Sequence, residues 1–514
     1  MLDQITKLEK LTWILFVIAV IAIYLFALDL PLLGPDESRY SQVAREMYER
    51  GDWVTTTLGG FNWFEKPALL YWLQITFYNL FGVSEFSARL GSALFGLGTV
   101  GSLFVLGRYF TATTRVRGEQ TLGKNSELPW WLGLVAASSI GLVAFSRGAS
   151  FDIILTFPIT ASLVSFFVWE IKRKSQKGLF HPCLLAFYFF IGVALIAKGL
   201  IGIIFPFAIV SFYCVLRLKV PSKTLMLSFF WGTILSVLVA SAWYLPMYLT
   251  NGWEFIDEFF IQHHFQRFFH ANKYLHPQPF WFFWVVLPAM TIPWLPFFAA
   301  SIWSFLKELF SGKDAKRQSE NTSGITRYEL RLFAFAWMLV PLVFFSMSGS
   351  KLPGYILPSL PAACILTAEF ISRFVLKNKN RKFALQGLAF LTFVVVAFLL
   401  NFAMPRFAVD DSVKGLVDAA NERGYAREKI VNFNTISHSL EFYGAKRLVR
   451  EGEGKQKRFD KVNEVADLMT KDGVKNILVL APNQFEKNLR ESDSLKVEKL
   501  KNNKELTIFL VKKK

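Results

Sequence analysis

Long apolar runs separated by short polar breaks occupy most of the chain, and the pattern changes character only near its end. Runs of about 20 mostly apolar residues, long enough to cross a hydrocarbon core as a helix, begin near residues 11, 88, 129, 153, 181, 199, 224, 279, 329, 354 and 383. They predict a polytopic α-helical membrane protein of about 11 to 13 transmembrane helices. The first run, Leu11 to Leu28, is long for a signal-peptide core, and no small-x-small cleavage site follows it, so it reads as an anchor. From about residue 408 the sequence becomes charged and mixed. Strand-like runs at Ile430 to Phe433, Asn476 to Ala481 and Leu506 to Val511 alternate there with helical patterns such as Lys461 to Thr470. The expected organisation is a membrane domain over 1–407 and a small soluble α/β domain over 408–514. The membrane domain would carry a first outer loop at 29–87 with interfacial helices, and a second large outer loop at 249–278.

Composition agrees with lipid as the solvent. The 514 residues are 53% hydrophobic and 16% aromatic, with mean hydropathy +0.35, too apolar for one soluble core. The net charge of +18 does not point to nucleic acid, because the basic residues sit in short loops and at the C-terminal end, where anionic headgroups are the expected neighbours. Basic clusters at Arg108/Arg115/Arg117, Lys172/Arg173/Lys174/Lys177, Arg217/Lys219/Lys223, Lys307/Lys313/Lys316/Arg317 and Lys377/Lys379/Arg381/Lys382 follow alternate runs. The positive-inside rule places them, and the N-terminus, in the cytoplasm. The alternating loops and the C-terminal domain then face outward, away from the cytoplasm. Cys183, Cys214 and Cys364 lie far apart in apolar stretches and read as inert.

Ionisable groups collect in the outward loops. Asp36-Glu37-Ser38-Arg39-Tyr40 opens the first loop, with an amphipathic pattern after it, and Phe64-Glu65-Lys66-Pro67 precedes a second aromatic helix. Asp152, Lys198-Gly199, His263-His264-Phe265-Gln266-Arg267 and Lys351-Leu352-Pro353-Gly354-Tyr355 mark helix ends on the same side. A lone Lys or Arg there reads as a snorkelling anchor, but Lys66, Lys198 and Lys351 together suit a phosphate or diphosphate. Asp36 and Asp152 are acids in a positive field, either paired structurally with Arg39 and Arg147 or able to orient an acceptor. His263 and His264 point about 100° apart on a helix, which argues against a shared metal without ligands from elsewhere.

These motifs resemble the aminoarabinose transferases of lipid A, in order over residues 36 to 361, with Pro293-Trp294 and Tyr355-Ile356-Leu357-Pro358 among the matches. Protein O-mannosyltransferases are the broader relatives, sharing the GT-C architecture. The resemblance implies an inverting glycosyltransferase taking a sugar from a polyprenyl-phosphate donor, usually undecaprenyl-linked, to a lipid A-like glycolipid. It implies Asp36, Glu37 and Asp152 as catalytic acids, Lys66 and Lys198 on the donor phosphate, and Arg39, Tyr40, Tyr355, Lys351 and Arg267 around it. No cofactor is required, although His264 would join a C-terminal-domain acid at a structural zinc. Two positions depart from the pattern. Ala68 replaces a second proline, and Gly354 replaces a bulkier residue. The C-terminal domain matches only around Ser439-Leu440-Glu441-Phe442-Tyr443. A protein O-glycosyltransferase is the nearest alternative. A lipid-sugar flippase is disfavoured, because transporters place polar groups near the midplane, often in repeated halves.

Overall fold

The computed structural model describes residues 2–116, 127–173, 178, 180–266, 277–311, 325–376, 378–492 and 494–514, and leaves undescribed the side chains of 2–10, 113–116, 263–266 and 453. It divides into two compact units. One comprises 1–26, 65–70 and 90–397, and the other 27–64, 71–89 and 398–514.

The helices begin, in chain order, with α1 (Leu2–Leu25), α2 (Gly34–Arg50), α3 (Leu69–Phe81), α4 (Glu85–Val116), α5 (Leu128–Ser138), α6 (Ile140–Ser146), α7 (Phe151–Lys172), α8 (Pro182–Lys198), α9 (Ile201–Leu216) and α10 (Lys223–Phe255). Then come α11 (Phe282–Met290), α12 (Leu295–Ser311), α13 (Arg327–Ser346), α14 (Leu360–Val375) and α15 (Lys379–Phe398). Among the described residues six segments are long and apolar enough to cross a membrane, two bent pairs pass the same test only when their halves are taken together, and three shorter helices are apolar. Each corresponds to one of the eleven runs read from the sequence. The chain is a multi-pass helical membrane protein.

Both breaks lie where the ladder is interrupted. The α5–α6 pair bends by 61° at Ser139, which is extended (φ −70°, ψ 123°). The α11–α12 pair bends by 117° across Thr291 to Trp294, a stretch containing Pro293. The two breaks satisfy each other: Ile140 N–H donates to the Ile292 carbonyl at 2.8 Å, and Trp294 Nε1 donates to Ser138 Oγ at 2.9 Å. Elsewhere small residues admit close helix approach, so that a Cβ at Gly192 would lie 2.7 Å from the Ser236 carbonyl.

The second unit contains a five-stranded sheet of order β4-β3-β5-β7-β6, made from β3 (Ile430–Phe433), β4 (Arg458–Phe459), β5 (Asn476–Pro482), β6 (Leu495–Asn502) and β7 (Leu506–Lys513). β1 (Thr57–Leu58) and β2 (Phe61–Asn62) form a separate hairpin. β3 pairs in parallel with β4 and β5, while β7 runs antiparallel between β5 and β6. Alternation along the strands feeds two apolar layers. Ile430, Leu478, Leu480, Ile508 and Leu510 pack with Leu416 and Val417, whereas Val431, Phe433, Ile477, Val479 and Phe509 pack with Val465 and Met469. The division does not simply follow residue 407, because most of the first outer loop belongs to the C-terminal unit. The reason is a dense polar seam. Tyr443 Oη accepts from Leu32 N–H at 2.8 Å and donates to Glu85 at 3.0 Å, Lys414 pairs with Glu85 at 2.6 Å, and Lys446 pairs with Glu49 at 2.7 Å.

Candidate active site

In the helical unit the chemistry collects where α7 begins and α8 ends. Ser150 caps α7 by accepting from the Asp152 N–H at 3.2 Å, which fixes Asp152 in the first turn, where the helix dipole favours an anion. Lys198 is the last residue of α8, where the dipole favours a cation. Lys198 Nζ donates to Asp152 Oδ1. The same ammonium lies 4.8 Å from the centre of the Tyr355 ring, a cation–π contact. Tyr355 sits in the 3₁₀ turn Pro353–Ser359 and packs against Phe345, with ring centres 5.5 Å apart. Three residues 46 to 203 positions apart thus converge on one ammonium group. A Cβ on Gly354 would fall 1.8 Å from Asp152 Oδ2 and 2.8 Å from Phe145, so the glycine gives the carboxylate its space. Lys66, in the segment 65–70 of this unit, pairs with Glu65 at 3.0 Å, and both side chains are largely buried.

The second unit holds the other group. Asp36 and Arg39 form an ion pair of 2.5 Å in the first turn of α2, with Asp36 47% exposed, and the Arg39 guanidinium lies 5.9 Å from the Trp63 ring. Tyr40 is buried beside them. His438 lies within electrostatic reach of this pair. Partial burial and then the Arg39 cation hold its imidazole below the ordinary histidine value, opposed by Glu441 and Asp36.

Comparison with known proteins then places the whole. A family model described as dolichyl-phosphate-mannose-protein mannosyltransferase matches residues 11–258. An undecaprenyl phosphate-alpha-4-amino-4-deoxy-L-arabinose arabinosyl transferase of Shewanella sediminis is 29% identical over 402 residues, 76% of this chain and 65% of that protein. Its namesake from Serratia proteamaculans is 30% identical over 384 residues, 73% of this chain and 62% of that protein, so the chain spans less than two thirds of these relatives. The crystal structure of ArnT from Cupriavidus metallidurans bound to undecaprenyl phosphate superposes with a TM-score of 0.77 at 19% identity, covering 97% of both chains. The chain has the same fold as that structure.

Within this fold, two expected site residues have other employment. Glu37, expected as a catalytic acid, holds Arg89 through both oxygens at 2.6 and 2.7 Å and accepts from Leu33 N–H at 2.7 Å. Arg89 in turn ties down the carbonyls of Leu28, Leu30 and Pro31. Glu37 therefore fixes the loop that presents Asp36, a role invisible in sequence because its partner lies 52 residues away. Lys351, expected on the phosphate, is 6% exposed and donates to the carbonyls of Gln278 (2.9 Å) and Ser348 (2.6 Å). Arg147 donates to the carbonyls of Ile23 and Phe26.

Arg267 lies outside the described residues, and so does the side chain of His264 at the end of the π-helical stretch Ile256–Gln266. Among the described residues no group of three or more His, Cys, Asp or Glu could hold a metal. Sequence reasoning missed the clamp formed by Tyr443 and the placement of His438, although the Ser439 to Tyr443 match was the available signal.

Proposed function

We propose that the chain is an inverting glycosyltransferase of the bacterial inner membrane, moving a sugar from a polyprenyl-phosphate donor, undecaprenyl-linked, to a lipid A-like glycolipid at the periplasmic face. The observation that carries this reading is the Lys198 ammonium, held between Asp152 and the Tyr355 ring at the end of a membrane helix. An ammonium has three donors, and Asp152 takes one. The others can donate to a phosphate whose isoprenoid tail stays in lipid. In the reaction an acceptor oxygen attacks the anomeric carbon from the face opposite the phosphate. The bond from that carbon to the phosphate oxygen breaks, its electron pair leaves on the polyprenyl phosphate, and Lys198 and Lys66 meet the charge as it grows. A phosphate acceptor is already ionised, so Asp36 need only orient it, whereas a hydroxyl would need a base.

Mass spectrometry of lipid A from cells with and without the protein tests the proposal. A mass difference that disappears in Lys66→Ala, with the protein still folded in the membrane, is expected. An unchanged lipid A spectrum overturns it. The match of residues 11–258 to a protein mannosyltransferase model favours one second reading, transfer to polypeptide. Label from the donor would then run with protein and not with glycolipid.

A further inference from the structure

Helix α2 carries different chemistry at its two ends. Asp36 stands in its first turn, and Glu46, Glu49 and Arg50 stand in its last. At that far end a cleft of about 400 Å³ opens, walled also by the Gly59–Gly60 turn, Lys446 and Arg450. This volume lies within the range of small-ligand sites, roughly 300–1,000 Å³.

The acids and the lysine lining the cleft already have partners. Glu46 accepts from the Gly59 and Gly60 N–H groups at 2.7 and 3.1 Å and from Thr57 Oγ1 at 2.8 Å. Glu49 pairs with Lys446 at 2.7 Å and Arg45 at 2.9 Å, while Arg450 holds Glu441 and the Gly454 carbonyl. With Glu46 and Glu49 in the lining against Arg50, Lys446 and Arg450, and Glu441 paired to Arg450, the charges nearly balance and exert little net field on an ion. They do present fixed donors and acceptors side by side, with the methylene stems of Arg50, Lys446 and Arg450 between them. That alternation suits a polyol whose hydroxyls both donate and accept, with C–H faces resting on the stems. A saccharide is the matching chemistry.

Distance decides which saccharide. Ten to fourteen helical residues separate Asp36 from Glu46 and Arg50, roughly 15–21 Å at 1.5 Å per residue. No single sugar ring spans that length, so a sugar in the cleft cannot be the unit reacting beside Asp36. Resting on the function proposed above, we propose that the cleft is a distal subsite for the acceptor. It would hold an oligosaccharide extension of the glycolipid while the reacting end lies at Asp36.

The test uses the full chain in lipid nanodiscs with two acceptors sharing a phosphorylated diglucosamine lipid, one bare and one extended by a neutral oligosaccharide. Wild type is expected to favour the extended acceptor in kcat/KM. In Lys446→Ala, whose side chain is 81% exposed and so removable without unfolding, and in Glu49→Gln, the extended-over-bare ratio should fall about tenfold, the loss of one or two hydrogen bonds. Equal kcat/KM for the two acceptors, or a ratio untouched by both variants, overturns the subsite. Calorimetric titration with the free oligosaccharide separates this from failure of the wider function. Binding to wild type that is lost in Lys446→Ala supports the subsite even where no transfer occurs. No binding, or displacement by inorganic phosphate as effective as by the sugar, overturns it.

Discussion

Helix α7 carries an acid at each end, and the two live in opposite surroundings. Eighteen residues separate Asp152 from Glu170, about 27 Å along the axis. Glu170 is buried and shared between Arg217 at 2.7 Å and Arg173 at 3.0 Å, and Arg217 reaches on to Glu329 at 2.7 Å. In the same turn of α13, Arg327 joins Arg331 and Arg373 around Glu369, which has no exposure at all, at 3.2, 3.8 and 2.9 Å. Arg331 also pairs with Glu308 at 2.5 Å. Each of these acids is held by at least one planar guanidinium fork, suited to permanent pairing. At the other end Asp152 meets one ammonium, a point charge leaning on an aromatic face. The contrast teaches that burial of charge does not by itself mark chemistry. A buried cluster of several guanidiniums around shared acids fixes helices, while a single lysine pair can exchange its partner for a ligand.

The strongest attempt to break the comparison is Glu369→Ala, which leaves three arginines facing one another without their acid. Losing one partner of a buried ion cluster costs about 3–5 kcal/mol, so thermal unfolding in detergent should shift down sharply while transfer per folded molecule persists. A melting curve like the wild type's would show that the cluster does not hold the bundle.

Lys198→Ala should give the reverse. Transfer is expected to fall by about 10²–10³-fold, the usual loss of a group that meets developing negative charge. The stability loss should be smaller than at Glu369, because the stranded Asp152 is 17% exposed and within reach of water. Rates measured with reconstituted protein and a saturating donor decide it. Activity within a few-fold of wild type would remove Lys198 from the site.

The sequence makes the two ends unequally legible. Every span was visible, because a run of about 20 apolar residues has few other fates, and the alternation of basic loops put Asp152, Lys198 and Tyr355 on one side before any geometry was known. The bends were not visible. Ser139 is an ordinary residue, and its break is stabilised by Ile292 and Trp294, more than 150 positions on. Motif reading gave Glu37 and Lys351 roles at the reaction centre and could not show what they hold, since no motif announces the contacts with Arg89 and with the carbonyls of Gln278 and Ser348. β6 escaped notice because the edge strand LKVEKLKN buries few of its side chains and reads as a solvated segment. Gly354 looked like a departure from the family pattern, and its reason lies in the 1.8 Å that a Cβ would leave to Asp152.

That contact yields a finer test. Gly354 has no left-handed backbone angle, so Gly354→Ala should fold, with the added methyl pushing the Asp152 carboxylate aside. Losing one charge-assisted hydrogen bond is worth about 1.5–3 kcal/mol, and transfer should drop roughly 10–100-fold. Asp152→Ala in the same chain should bring no further loss once the carboxylate is displaced. Additive losses would mean that the two residues act apart.

The smallest effect concerns Lys351, which tests whether the contrast between the ends extends to a buried cation without a carboxylate. Its ammonium is bound by two backbone carbonyls, and burial holds its pKa below the usual lysine value. The folded state therefore releases this proton at lower pH than the unfolded chain does. Between the folded value and the unfolded one, the unfolded state binds more protons, so this residue's contribution to stability rises with pH through that window and is lost as pH falls through it. Unfolding curves at a series of alkaline pH values should show that rise in wild type and its absence in Lys351→Met, with the KM for the donor the same in both. A raised donor KM in Lys351→Met would instead return this lysine to the phosphate, and the two cations Lys198 and Lys351 would then share one task.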